Sequence, residues 1–132
     1  MVGCRWWVVG ETIRNFRDLR VWQSGMRIVE TVYQVTGSFP NRELYGLASQ
    51  LRRAAVSIPA NIAEGHCREH IKEYLNFLSI AQGSIAELET ELEIAGRLKY
   101  IAPEPLTALL AELSTLAKQM RALRAALARS KP

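Results

Sequence analysis

A chain of 132 residues is long enough for one domain with a real core and too short for two ordinary ones. With 48% apolar, 8% aromatic and 23% charged residues, eight glycines and five prolines, it is neither a disordered segment nor a fibre. Two cysteines, Cys4 and Cys67, cannot build a disulfide framework, which suits a reducing, cytoplasmic setting, and no apolar run nears the ~18 residues of a bilayer span. The formal charge of +4 is unevenly placed. Residues 1–65 carry eight Lys/Arg against five Asp/Glu, residues 66–102 four against six, and residues 103–132 five against two.

Residues 1–14 read as a poorly ordered N-terminal extension, because Trp6-Trp7-Val8-Val9 behind Arg5 is too short an apolar core for a secretory signal. The domain proper is expected over 15–129, with 130–132 as a tail. From Phe16 to Gly37, Leu19, Trp22, Met26, Val29 and Tyr33 step by three and four, which predicts a helix with that stripe inward. A second set, Val21, Ile28, Val32 and Val35, widens the apolar arc and predicts an oligomer interface. Phe39-Pro40 ends this helix, and Asn41 is placed to cap a second helix from Arg42 to Glu64. In that helix Leu44, Leu47, Leu51, Ala54, Ala55 and Ile58 face inward, Pro59 predicts a kink, and Gly65 suits a left-handed closing residue. A third helix, from Ile71 to Lys99, places Ile71, Tyr74, Leu78, Ala81, Ile85, Leu88, Leu92 and Ala95 on one stripe. Pro103 opens a fourth, with Leu106, Leu109, Leu113, Leu116, Met120, Leu123 and Leu127 inward. Short loops force antiparallel neighbours, so the predicted fold is all-α, an up-and-down four-helix bundle.

Three stretches stand together: Asn15-Phe16-Arg17-Asp18-Leu19-Arg20-Val21-Trp22-Gln23, Tyr45 to Ala54, and Ser57-Ile58-Pro59-Ala60-Asn61-Ile62-Ala63-Glu64-Gly65. With Ala86 to Leu92 they resemble the bacterial four-helix-bundle family of 23S rRNA intervening-sequence proteins, over residues 15 to 127. The resemblance implies a cytosolic homopentamer without a defined biochemical activity. It also implies a distant relationship to accessory proteins of diversity-generating retroelements, which bind nucleic acid and a reverse transcriptase. The turn His66-Cys67-Arg68-Glu69-His70 departs from the family pattern, which is richer there in small, serine-like or basic residues.

The residues offer little for catalysis. A di-iron bundle needs Glu-x-x-His on two helices, and neither His66 nor His70 follows a glutamate by three. Glu87 with Glu91 and Glu89 with Glu93 read as a solvated face or as salt bridges between subunits. His66, Cys67, His70 and Glu73 are an incomplete zinc set, so no metal and no cofactor is expected. A small cleft is expected where Ser57, Asn61 and Glu64 approach Ser84 and Glu87. Arg17, Arg20, Arg52, Arg53, Lys118, Arg121 and Arg124 are the candidate contacts to RNA or DNA, although no base-stacking platform is evident. The expectation is a non-enzymatic oligomeric binding or scaffold protein for nucleic acid or a nucleic-acid enzyme; the alternative is a purely structural self-assembling module.

Overall fold

The computed structural model describes residues 6–8, 11–13 and 15–130. Four helices, α1 (Arg20–Thr36), α2 (Leu47–His66), α3 (Ile71–Arg97) and α4 (Pro103–Arg129), form an antiparallel bundle. α1 packs on α2, α2 on α3, α3 on α4, and α1 on α4, which closes the ring. Trp6–Val8 (β1) and Glu11–Ile13 (β2) add an antiparallel ribbon with Trp6 opposite Ile13, and β1 lies against α4. Strands of three residues are too short to show an alternation in the sequence. The reading of residues 1–14 as a poorly ordered extension falls mostly outside the described residues, as do residues 131 and 132.

The long stripes of α3 and α4 are the interior: Tyr74, Leu78, Ala81, Ile85, Leu88, Leu92 and Ala95 face Leu109, Leu113, Leu116, Met120 and Leu127, all buried. In α1 the expected inward stripe holds only in part: Leu19 is buried and Trp22 and Val29 pack against the core, but Met26 and Tyr33 do not. Val21, Ile28 and Val32 are buried inside their own bundle, whereas Met26 and Tyr33 are exposed and Trp22 and Val29 half-buried. The reading of Val21, Ile28, Val32 and Val35 as a subunit interface is therefore corrected; Val35 too packs against the core. Gly25 and Thr36 complete the inner stripe, and an apolar count passes over both. A Cβ on Gly25 would stand 3.4 Å from the Pro59 ring, in contact with α2. Thr36 is buried because its hydroxyl donates to the Val32 carbonyl at 2.7 Å.

α2 starts later than expected. Asn41–Glu43 forms a 3-10 turn, and Gly46 precedes the first helical residue. Glu43, not Asn41, supplies the cap: its Oε1 accepts from the Leu47 N–H at 3.1 Å, and its Oε2 accepts from the Tyr100 hydroxyl at 3.0 Å. Leu44, outside the helix, is exposed. α2 continues as one helix through buried Pro59, and Gly65 is helical. A Cβ on Gly65 would meet the Phe77 Cβ at 2.7 Å, so its role is close approach of α3, not a left-handed turn.

Candidate nucleic-acid interface

Where α2 crosses α3, the Ser57 and Ser84 hydroxyls meet at 2.8 Å, and Asn61 Nδ2 donates to the Ser57 carbonyl at 2.8 Å and to its Oγ at 2.9 Å. These polar atoms satisfy one another at a helix contact, where leaving them unpaired would cost about 1–3 kcal/mol each. The expected cleft residues are thus divided. Ser57, Asn61 and Ser84 form a latch, Glu64 pairs with Arg68 at 3.0 Å, and Glu87 hydrogen-bonds to Glu91. Glu91 is buried, and its carboxyl is pushed up to about 7 by loss of water, then by the charge of Glu87 and the hydrogen bond to it.

The open surface lies along the first half of α2, toward α1. Tyr33 from α1 and Leu44, Tyr45, Arg52, Arg53 and Val56 from α2 and the turn before it line a concavity of about 740 Å³, with Ser49 and Ser57 in its wall and no acidic residue. Arg52 is held in place. Its Nε donates to Thr36 Oγ1 at 2.9 Å, and its guanidinium carbon lies 4.8 Å from the centre of the Tyr33 ring. One guanidinium edge is thereby spent on orientation, and the remaining donors are left for a ligand. Arg53 is exposed one residue on, and neither arginine is within an ion pair among the described residues. Tyr45 is 93% exposed.

The seven basic residues expected to act together do not share one surface. Arg52 and Arg53 lie in the first third of α2. Arg17, in the 3-10 turn Phe16–Asp18, and Arg20, the first residue of α1, lie at the opposite end of the bundle, and Arg121 and Arg124 are in the last third of α4. Arg17 stacks on Phe16 at 4.6 Å and reaches Asn15 at 3.3 Å; Arg20, Lys118 and Arg121 are exposed. Arg124 is half-buried and donates to Gln82 Oε1, a tie from α4 to α3. Tyr33 and Tyr45 are the residues that sequence reasoning missed, the first because its stripe reads as core, the second because it sits in the break before α2.

The turn after α2 offers no alternative chemistry among the described residues. His66 is buried with its ring edge-on to Tyr74 at 5.7 Å, while His70 is exposed. No group of three or more His, Cys, Asp or Glu is arranged to hold a metal among the described residues. Cys67 is not a free thiol.

The sequence pattern of the 23S rRNA-intervening sequence proteins matches residues 17–122. The chain belongs to that family. The matched region of this intervening-sequence protein contains the whole α1–α2 groove and ends before Arg124, the arginine tied to α3. The bundle is similar to the crystal structure of a protein of unknown function from the S23 ribosomal protein family of Bacteroides thetaiotaomicron. The TM-score is 0.74 at 21% identity, over 79% of this chain and 97% of that one. That likeness is one of fold. Among curated proteins, none matches the chain. No helix among the described residues is long and apolar enough to cross a membrane.

Proposed function

We propose that this intervening-sequence protein is a non-enzymatic, oligomeric binding or scaffold protein of the cytoplasm. Its basic surface engages the phosphate backbone of nucleic acid, alone or together with an enzyme that acts on nucleic acid. The observation that carries this reading is the Arg52–Arg53 pair: two arginines in a concavity without an acid, one of them oriented by Thr36 and Tyr33. Guanidinium groups fixed in this way fit phosphate oxygens with little further loss of freedom. Repetition around a ring, such as the pentamer that the family resemblance implies, multiplies the field seen by a polyanion.

Binding of a labelled RNA or DNA, followed by fluorescence anisotropy as salt is raised, tests the reading. Affinity is expected to fall steeply with salt, and Arg53→Ala is expected to lower the log-log slope by roughly 0.9 on a duplex. An Arg52→Ala, Arg53→Ala double variant that keeps both affinity and slope would refute it. A second reading, a purely structural self-assembling module, is favoured by the outward face of α1, where Trp22, Met26 and Val29 remain partly open to solvent. An oligomer that binds no nucleic acid at low salt would select that reading.

A further inference from the structure

Tyr45 presents nearly its whole side chain to solvent, so its ring contributes little to the fold. It lies on the rim of the concavity that holds Tyr33, Arg52 and Arg53. One face of Tyr33 is already taken by the Arg52 guanidinium at 4.8 Å, which leaves Tyr45 as the open aromatic surface. A volume of about 740 Å³ is within the range of small-ligand sites, although this one is open along its length.

We infer that the α1–α2 groove binds single-stranded nucleic acid, with an unpaired base stacked on Tyr45 and the flanking phosphates held by Arg52 and Arg53. This inference rests on the phosphate-binding reading above and narrows it to unpaired strands. Both chemical parts of such a strand are matched. The phosphates meet two cations with no carboxylate in the lining, and the base meets a ring that needs a free π-face, which a base inside a duplex does not offer. An acidic peptide would satisfy the arginines and leave the ring unused. A second copy of the chain would cover the ring and strand two buried cations, which the lining has no acid to balance.

Anisotropy with a short labelled oligothymidylate and with a duplex of equal length tests this directly. The single strand is expected to bind about tenfold more tightly than the duplex. Tyr45→Ala is expected to weaken the single strand about tenfold and leave the duplex unchanged, while Tyr45→Phe keeps parental affinity. Arg53→Ala is expected to weaken both and to lower the salt slope on the single strand by about 0.7. If Arg53→Ala weakens binding while Tyr45→Ala does nothing, the groove reads phosphate only; the present inference falls and the broader reading stands. If neither probe binds at low salt, both fall. If Tyr45→Ala lowers the assembly mass in light scattering, the groove is a contact between copies, and the inference is likewise overturned. Because Tyr45 is 93% exposed, its variants should melt with the parent, so none of these outcomes reduces to misfolding.

Discussion

Among the described residues Glu91 is the one buried acidic side chain, and it sits there at a cost. Its carboxyl loses water, faces the charge of Glu87 one turn earlier, and leaves Oε1 without a hydrogen-bond donor. A carboxyl raised from its ordinary 4.5 to about 7 takes up its proton more readily in the folded chain than in the unfolded one. The stability this brings is fully present below about 4.5 and is lost as pH rises through 7. Glu91→Gln, which keeps the shape and removes the charge, is therefore expected to melt a few degrees above the parent at alkaline pH, corresponding to about 1–3 kcal/mol. Near pH 4.5 the two melting curves should coincide. Thermal unfolding followed by circular dichroism across that range checks this; a constant gap at every pH would show that packing, not ionisation, separates the two proteins.

At the scale of elements, two helical glycines should respond to the same substitution with opposite signs. Alanine is favoured over glycine in a helix by about 1 kcal/mol. At Gly83 in α3 a Cβ would meet nothing within 4 Å, so Gly83→Ala is expected to stabilise by nearly that amount. At Gly65 the added Cβ would press on the Phe77 Cβ at 2.7 Å and on the Tyr74 carbonyl at 3.3 Å, neither of which is a flexible chain end. Overpacking of about 1–3 kcal/mol then exceeds the helix gain, and Gly65→Ala is expected to lower the denaturation midpoint. Urea titrations of the two variants decide it; equal shifts of the same sign would show that the helices adjust freely. These glycines also show what could be read in advance. α3 and α4 were legible because apolar residues recur by three and four along their whole length, even though Ser84 and Glu91 of α3 are buried beside that stripe. α1 was legible only in part, since Gly25 and Thr36 belong to its inner stripe and carry no hydrophobic signal, whereas Met26 and Tyr33 carry a strong one on the outside. The start of α2 was displaced because its cap is a glutamate that also accepts from Tyr100, more than fifty positions away. The groove was half legible: Arg52-Arg53 is visible as a pair, but its tyrosines come from two different elements and meet it only in the fold.

For the whole molecule, the burial of Val21, Ile28 and Val32 within their own chain reverses an expectation about assembly. Val32 is fully buried within its own chain, so Val32→Glu places an unpaired charge in the core and is expected to unfold the bundle, at a cost above about 4 kcal/mol. Met26 is 40% exposed, and Met26→Glu is expected to leave the fold intact while it dissociates the proposed oligomer. Light scattering beside circular dichroism separates the two outcomes; a Met26→Glu protein that keeps its parental mass would move the contact off α1. The order of the helices has a kinetic consequence as well. α2 and α3 are joined by a turn of only four residues and share the Ser57–Ser84 latch and the Gly65 contact, so this hairpin closes a short loop and can form early. The α1–α4 seam, by contrast, joins the first and last helices and has to wait until almost the entire chain has been gathered in. Contacts across it should mature late, and loosening them should speed unfolding far more than it slows folding.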